Sequence, residues 1–519
     1  MEKEFNVTGK CIAEQHYMAD VSGKLAEGLE MVEKGKYFII NRPRQYGKTT
    51  TLYSLAAALR AKKNYIVFNI SFEGVGDLFF ESEKRFSQGF LDLLADYAQY
   101  KAPELKNYLE EEIKETTDLK TLSKKITQVL NRTEKKVVLL IDEVDKSIDN
   151  QLFVSFLGML RNKYLVRDEI KTFHSVVLTG VHDVKSLKLK LRPDEEQKYN
   201  SPWNIAAEFK VDMNLQPAEI KPMLDEYILV TGVKMKSQEI ADRLFYHTSG
   251  YPFLVSKLCK IIDEDILPKK NAQEWTNEDV DAAARELTKE NNTNFDSLIK
   301  NLENNQDLYN TVYNIAVDAD IRRFNRHTPA VNLGLLYGIF ADRNGLVIHN
   351  RIYREVIIDY MTDKMHQTQS NAGADFGAGY KNSDKSINME VVLTKFQVFM
   401  RENYSRQDRN FLERNGRLVF LAFIKPIING SGYDFKEPQI SDERRLDVII
   451  TYLQKRYLAE LKIWRGESAH QEGLLQLTDY LDRLSLSEGY LIIFDHAKIK
   501  SWKQESLTVL GKKIFAVWV

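Results

Sequence analysis

Cysteine is nearly absent from this sequence, whose 519 residues include only Cys11 and Cys259. Two such distant cysteines do not suit a disulfide framework and favour a reducing compartment. No His/Cys cluster has zinc-ligand spacing, so we expect no structural zinc. Long apolar runs are also missing, because the stretch 418–428 is interrupted by Lys425 and is too short to span a bilayer. The first ten residues lack an apolar signal core. These absences predict a cytoplasmic protein with no membrane attachment.

The sequence has no excess of either charge, with 73 basic and 74 acidic residues. This balance neither supports nor excludes nucleic-acid binding, since a local basic groove can exist in a neutral protein. A composition of 43% hydrophobic and 28% charged residues is typical of globular chains. A chain of 519 residues is too long for one core, so we expect two to four domains.

The order of apolar patterns indicates an α/β fold. Helical patterns separate strand-like runs at 37–40, 65–70, 137–141 and 175–179, which predicts a parallel sheet covered on both faces. Residues from 215 to 360 are mostly helical in pattern, and a polar Gly/Ser/Asn-rich stretch follows them as a predicted linker. The predicted divisions are 1–214, 215–362, the flexible linker 363–388, and 389–519.

A candidate phosphate-binding loop lies between the first strand and the helical pattern of 48–60. Its sequence, RPRQYGKTT, fits G-x-x-x-x-G-K-[ST] except that Arg42 replaces the first glycine. Gly47 lets the backbone approach phosphate oxygens, and N–H groups at a helix start bind anions. Lys48 can reach the β- and γ-phosphates, and the Thr49 hydroxyl can ligate Mg²⁺. The predicted nucleotide contacts in the loop are Arg44, Gln45, Tyr46, Gly47, Lys48, Thr49 and Thr50.

The apolar strand at 137–141 ends in Asp142-Glu143. Asp142 would hold Mg²⁺ through water, and Glu143 would polarise the attacking water. The alternative is a buried strand that merely ends in solvated acids. The phosphate loop earlier in the chain makes this alternative less favoured, and a further strand is possible between the loop and this strand. Thr179, at the end of the next strand, is a candidate sensor of the γ-phosphate, although a hydroxyl that caps a strand end fits equally well.

Four stretches, RPRQYGKTTTL, LLIDEVD, VVLTG and HTSGYPFLV, together resemble the AAA-like ATPase domain often found beside nuclease domains in bacteria. That family is similar to archaeal-type and STAND P-loop ATPases, and the resemblance covers about 5–360. It implies ATP with Mg²⁺, slow turnover used as a switch, a helical lid from Gly250 and a winged helix after it. Its members carry RPR-x-[FY/M]-GK, so Arg42 is a family feature. It also implies that His16 and Tyr17 lie near adenine; an arginine finger, whether Arg161 or Arg192, stays open.

A second constellation lies near the C-terminus, where Asp447, Glu460 and Lys462 are spaced D-x12-E-x-K. Glu460 and Lys462 lie on one face of a predicted strand, and a hairpin that turns near 454–456 would bring Asp447 beside them. Charges within buried strands are costly unless they are paired or bind metal. The carboxylates would bind Mg²⁺ or Mn²⁺, and Lys462 would stabilise the phosphorane. The alternative is an ordinary salt bridge on a solvated strand face.

The stretches RRLDVIITY, AELKIW, HQEGLLQLTDYLDRL and GYLIIFD resemble the PD-(D/E)XK nuclease superfamily in order and spacing, over about 390–519. This resemblance implies a restriction-endonuclease-like α/β/α domain. It also implies that Gln476 and Tyr480 belong to the site. An upstream acid completes the set in that family, and we prefer Glu413 slightly over Glu437.

Two functions of different classes remain open. The first is an ATP-gated, metal-dependent DNA endonuclease of defence or mobile-element type, with DNA preferred over RNA and a homo-oligomer compatible with it. The second is an ATP-dependent regulatory or scaffold protein whose C-terminal domain binds nucleic acid without cleaving it. A weaker third is an ATP-driven toxin that acts on RNA.

Overall fold

The computed structural model describes residues 3–144, 150–180, 203, 205–270, 273–316, 323–368, 380–403, 432–435, 448–452, 455–464, 466–495 and 502–519, with separate helical positions between 416 and 427. These residues form two compact units. The first unit comprises 1–304, 325–341 and 348–354, and the second comprises 305–324, 342–347 and 355–519.

The α-helices are Ser22–Glu33 (α1), Lys48–Arg60 (α2), Glu83–Lys101 (α3), Pro103–Ile113 (α4), Leu119–Leu130 (α5), Gln151–Leu165 (α6), Pro217–Thr231 (α7), Ser237–Thr248 (α8), Pro252–Ile261 (α9), Asn277–Lys289 (α10), Thr293–Glu303 (α11), Gln306–Ala316 (α12), Pro329–Leu336 (α13), Arg351–Thr368 (α14), Met389–Asn403 (α15) and Glu467–Arg483 (α16).

The strands are Phe38–Asn41 (β1), Tyr65–Ser71 (β2), Lys136–Asp142 (β3), Ser175–Gly180 (β4), Ala207–Glu208 (β5), Phe340–Asp342 (β6), Leu346–Ile348 (β7), Gly432–Phe435 (β8), Val448–Tyr452 (β9), Lys455–Ile463 (β10), Glu488–Phe494 (β11), Gln504–Val509 (β12) and Lys512–Trp518 (β13). Strands β6 and β7 pair only with each other among the described residues.

The first unit contains a five-stranded sheet in the order β2-β3-β4-β1-β5. All its pairings are parallel, so the predicted parallel α/β sheet is confirmed. Strand β4 lies between β1 and β3, with Ile39 opposite Leu178 and Ile141 also opposite Leu178. Since the carboxyl ends of parallel strands meet at one sheet edge, the ends of β1, β3 and β4 lie at the same edge.

The core of this unit explains why β3 is an unbroken apolar run. Residues 137–141 are each at most 3% exposed, because helices cover both faces of the sheet. One face packs phenylalanines of α3 and α6, with Phe86 and Phe156 rings 5.0 Å apart between centroids. Helix α5 buries Leu122, Ile126 and Val129, a spacing that places them on one helix face.

The second unit contains a six-stranded mixed sheet in the order β12-β13-β11-β10-β9-β8. Strand β10 pairs antiparallel with β9 and parallel with β11. The turn of the predicted hairpin therefore falls between Tyr452 and Lys455. Helix α16 covers one face of this sheet with Leu474, Leu477 and Leu481. A restriction-endonuclease-like domain stays a prediction.

Helix α14 runs to Thr368 and so includes the first residues of the predicted linker, and α15 begins at Met389. No helix within the described residues has both the length and the apolarity needed to cross a bilayer.

Candidate functional site

The predicted phosphate loop connects β1 to α2, so its backbone N–H groups lie at a helix N-terminus. Gly47 is the N-cap of α2 with φ of 73°, and Gln45 also has a positive φ of 57°. Such left-handed positions point successive N–H groups inward and create an anion-binding concavity. The geometry suits a polyphosphate, because these N–H groups and the helix dipole both favour negative charge.

Lys48 is 7% exposed, and its ammonium lies within the loop. The Nζ group donates to the carbonyl oxygens of Pro43 at 2.8 Å and Arg42 at 3.1 Å. A phosphate oxygen is a stronger acceptor than these carbonyls, so the position of the ammonium suits a phosphate bound in the loop.

Arg42, which occupies the position of the missing glycine, points away from the phosphate concavity. Its guanidinium donates to the carbonyl oxygens of Asn41 at 2.7 Å, Val211 at 2.6 Å and Phe209 at 3.4 Å. Burial lowers the pKa of the Arg42 guanidinium, yet arginine remains cationic in proteins. The side chain therefore ties the loop to the segment after β5.

The acidic residues lie at the sheet edge shared by β1, β3 and β4. Asp142 is 6% exposed. Its Oδ1 accepts the Thr179 hydroxyl and, at 2.9 Å, the backbone N–H of Glu143. Glu143 has φ of 54°, a strained conformation for a non-glycine residue that is typical of functional positions. These contacts fix the Asp142 carboxylate and the direction in which Glu143 leaves the strand.

The oxygen donors in this part of the chain suit a hard cation. Thr49 at the start of α2 and Asp142 at the end of β3 supply the hydroxyl and carboxylate ligands that Mg²⁺ prefers. Within the described residues, no three His, Cys, Asp or Glu side chains are placed so that they could together hold a metal ion. A magnesium ion at this edge would need further oxygens from the nucleotide and water, as is usual for Mg²⁺.

A cavity of about 400 Å³ lies beside the loop. Its lining includes Tyr17, Met18, Gly47, Met213 and Phe253, and is mainly apolar. Such a lining can receive a flat base while the loop holds its phosphates. The structure thus places Tyr17 in the lining.

His16, unlike the cavity-lining Tyr17, bonds to the backbone of the N-terminal segment. Its Nδ1 accepts the Ile12 backbone N–H at 2.8 Å. Its imidazole thereby shapes the N-terminal segment.

The loop also contacts polar residues that the sequence did not predict as site residues: Asn214, Tyr251, Asn294 and His349. Tyr353 joins them indirectly, because its hydroxyl donates to Asn294 Oδ1. Tyr251 lies in the stretch HTSGYPFLV, but no motif marks its hydroxyl as a contact of the loop. Only the fold brings them to the loop.

Among the predicted C-terminal site residues, the structure brings Glu460, Lys462 and Gln476 together. Glu460 is 1% exposed, within the central strand β10. The Lys462 Nζ lies 2.8 Å from Glu460 Oε1 and donates to Gln476 Oε1 at 3.2 Å. The salt bridge of the alternative interpretation therefore exists, but its carboxylate is buried instead of solvated.

A second cavity of about 400 Å³ is lined by Lys462, Trp464, His470 and Gln476. Burial lowers the pKa of His470, which disfavours its charged form near this cavity. Tyr480 is 2% exposed and packs in the core beneath α16.

Several predicted residues lie outside the described residues. They are Asp447, Glu413, Glu437 and Arg192.

Comparison with known protein families identifies one match. A model of the AAA-like domain family matches residues 14–339. No curated protein matches the sequence.

Three solved structures have a distant likeness to this chain. The ORC1 protein of Aeropyrum pernix, in complex with DNA, has 11% identity and a TM-score of 0.30, over 66% of this chain and 93% of that chain. The ORC2 protein of the same organism, in ADPNP-ADP complexes, has 13% identity and a TM-score of 0.36, over 66% of this chain and 93% of that chain. A STAND protein with a tetratricopeptide repeat sensor from Pyrococcus horikoshii has 13% identity and a TM-score of 0.28, over 78% of this chain and 58% of that chain. All three TM-scores are low, so these likenesses carry no argument about function.

Proposed function

This chain belongs to the AAA-like domain family, and on that premise we propose that it binds and hydrolyses ATP with Mg²⁺. The observation that carries the proposal is the sheet edge where the phosphate loop meets Asp142 and Thr179. The Thr179 hydroxyl and the Glu143 N–H hold the Asp142 carboxylate in place. In this proposal Lys48 neutralises the phosphates, Thr49 and Asp142 hold the magnesium, and Glu143 orients the attacking water.

Two substitutions separate binding from hydrolysis. Lys48→Ala should abolish binding of a fluorescent ADP analogue, because it removes the cation inside the loop. Glu143→Gln should retain that binding while ATP hydrolysis falls at least a hundredfold, since the amide cannot accept the water's proton. Hydrolysis that persists in Glu143→Gln would refute the role assigned to Glu143.

We further propose that the C-terminal region is a metal-dependent nuclease that acts on DNA in preference to RNA. Support comes from the buried Glu460 carboxylate, its 2.8 Å contact with Lys462 and the link from Lys462 to Gln476. A carboxylate buried in the middle of a sheet is costly, so a catalytic or metal-binding role is a reasonable cause of its presence. Asp447 and an upstream acid, Glu413 or Glu437, would complete the metal ligands.

The chemistry proposed for this region follows from these side chains. The carboxylates would hold Mg²⁺ or Mn²⁺ against a phosphodiester, and the metal would supply Lewis-acid activation and a reactive water. Lys462 would stabilise the charge that develops on the phosphorus oxygens. Gln476 would orient Lys462 through the contact already present. Tyr480 would support this arrangement from the α16 side.

The decisive experiment incubates the full chain with supercoiled, single-stranded and RNA substrates in Mg²⁺ or Mn²⁺, with and without ATP. Glu460→Gln should lower cleavage at least a hundredfold at unchanged helicity. The matched control is Glu488→Gln, because Glu488 is an exposed acid in the same sheet and should keep full activity. Lys48→Ala should alter only the ATP dependence.

A second function of another class remains as the alternative. If the wild-type chain binds DNA but cuts no substrate in either metal, the C-terminal region is a binding module and the protein is an ATP-dependent regulator or scaffold. Cleavage restricted to RNA would favour the toxin instead.

A further inference from the structure

Three consecutive residues of the phosphate loop are each held by a side chain from a distant part of the first unit. The Arg44 carbonyl oxygen accepts the Tyr251 hydroxyl at 2.6 Å. The Gln45 Oε1 accepts the Asn294 amide at 2.7 Å. The Tyr46 hydroxyl donates to Asn214 Oδ1 at 2.7 Å and lies 2.7 Å from His349 Nε2.

The contact with His349 has a defined proton arrangement. The Asn350 Oδ1 accepts the Tyr353 backbone N–H at 2.8 Å, so the Asn350 NH₂ group faces His349 Nδ1 at 3.2 Å. Nδ1 is then an acceptor, and the imidazole proton resides on Nε2. Since Tyr46 gives its own proton to Asn214, His349 Nε2–H points to the Tyr46 hydroxyl oxygen at 2.7 Å, with Asn214 Oδ1 as a second acceptor at 3.1 Å.

The contact with Gln45 is ordered in the same way. The Asn294 Oδ1 accepts the Tyr353 hydroxyl at 2.8 Å while its NH₂ group donates to Gln45. Asn294 is 6% exposed and Tyr353 is 2% exposed, so these contacts are shielded from water and each is worth more than a surface bond. The Tyr46 ring is also buried, against Tyr251 at 4.4 Å between ring centroids.

These side-chain contacts brace residues 44–46, and they act where the backbone conformation of the loop is costly. Gln45 has φ of 57°, in a region that is unfavourable for a non-glycine residue. An unbraced loop would also lose conformational entropy for each residue that a phosphate orders. Bonds made before the ligand arrives remove both costs from the binding step.

We propose that Asn294, His349 and Tyr353 are positioning residues for the nucleotide phosphates, and that they hold residues 44–46 in the phosphate-binding conformation before ligand arrives. This inference rests on the proposed nucleotide site and adds to it residues distant in sequence: Asn294 lies 249 positions from Gln45, and His349 lies 303 from Tyr46. His349 lies two residues before α14 and Tyr353 in its first turn, so the phosphate loop requires that segment for its preorganised form.

The test measures affinity for a fluorescent ADP analogue and, by competition, for ADP and adenosine. Tyr353→Phe removes one hydroxyl, and His349→Ala removes the donor to Tyr46. Each should weaken ADP binding about threefold to tenfold, the range expected for one shielded hydrogen bond. Adenosine affinity should change little, because adenosine carries no phosphate for the loop to bind. His349→Gln, which can still donate an amide N–H, should recover part of the loss.

The matched control is Tyr37→Phe. Tyr37 is a fully buried tyrosine whose hydroxyl donates to the Phe173 carbonyl oxygen at 3.0 Å, at the opposite end of β1. This variant should bind ADP as the wild type does.

The outcomes separate the two proposals. Failure of the wild type to bind ADP overturns the nucleotide site and this inference together. Normal ADP affinity in Tyr353→Phe and His349→Ala overturns the inference and leaves the site standing. A parallel loss of ADP and adenosine affinity also overturns it, because that result indicates general damage to the fold.

Discussion

Arg42→Gly restores the glycine-first form of the phosphate-binding motif, yet we expect it to damage the protein. A reading of the motif alone predicts that glycine at this position is neutral or beneficial. The structure predicts otherwise, because the Arg42 guanidinium holds the loop to the segment after β5 through the carbonyl oxygens of Asn41, Phe209 and Val211.

The magnitude follows from these contacts. Two of them are well formed, at 2.7 Å to Asn41 and 2.6 Å to Val211, and the third, at 3.4 Å to Phe209, is at the limit of a hydrogen bond. Hydrogen bonds to charged groups contribute roughly 1.5–3 kcal/mol each. Relief from burying the guanidinium and entry of water offset part of the loss, so we expect a net cost of about 2–4 kcal/mol. Glycine adds backbone entropy to the unfolded chain and increases this cost slightly.

Amide hydrogen exchange of a peptide that covers 205–213 is the direct assay, with urea unfolding and affinity for the fluorescent ADP analogue beside it. Arg42→Gly should speed exchange in this peptide and lower the urea midpoint. Arg42→Lys should give an exchange rate and a urea midpoint between those of the wild type and Arg42→Gly, since lysine lacks the planar guanidinium fork. Arg85→Ala is the control, because it removes an arginine whose side chain is 53% exposed and pairs with Glu81, away from the 205–213 peptide. An Arg42→Gly protein with wild-type exchange, midpoint and affinity would refute the reasoning.

Three further predictions follow from local structure. Gly250→Ala should prevent stable folding of the first unit, as judged by near-UV circular dichroism, because Gly250 has φ of 76° and an added Cβ would lie 2.1 Å from the Leu215 carbonyl oxygen. Burial lowers the pKa of Lys163 to about 8, so the unfolded state binds more protons between pH 8 and 10.5 and stability should rise with pH there. Lys163→Met should remove this rise and be more stable at pH 7 by about 1–2 kcal/mol in urea titrations; an unchanged pH profile would contradict it. Asp118→Ala should cost about 1 kcal/mol in the same titration, since Asp118 caps α5 through the Thr121 N–H at 2.7 Å, and an unchanged midpoint would show that the cap is dispensable.

The sequence predicts the elements of the first unit well where the pattern is local. The loop stands between an apolar run and a helical pattern, and α2 occupies the predicted residues 48–60. Strand β3 is a continuous apolar run because both of its faces are covered. The edge where Asp142 and Thr179 meet follows from the parallel order of strands. These features depend on spacing over a few residues, which a single sequence displays.

Long-range partners could not be predicted in this way. The contact of Arg42 with Val211 joins residues 169 apart, and that of Tyr46 with His349 joins residues 303 apart. A lone asparagine or histidine has the same sequence signature on a surface as in a buried network. Strand β12 was also not predicted. It alternates half-exposed and exposed residues at the sheet edge, so its apolar signal is weak. By contrast, β13 carries the run IFAVW, an apolar signal that indicates a strand.

One physical explanation covers both the replacement of the first loop glycine by Arg42 and the bracing of residues 44–46. A self-supporting phosphate loop needs glycine for positions that other residues adopt at a cost. Here the costly left-handed position is Gln45 and not Arg42. Contacts of Arg42 and Tyr46 attach this half of the loop to other segments, while Gly47 joins the second half to α2. A loop held from outside can dispense with its first glycine. Arg42→Gly and His349→Ala loosen the same half of the loop. In the double variant, the loss of ADP affinity should therefore differ from the sum of the two single losses. Strict additivity would show that the two contacts act independently.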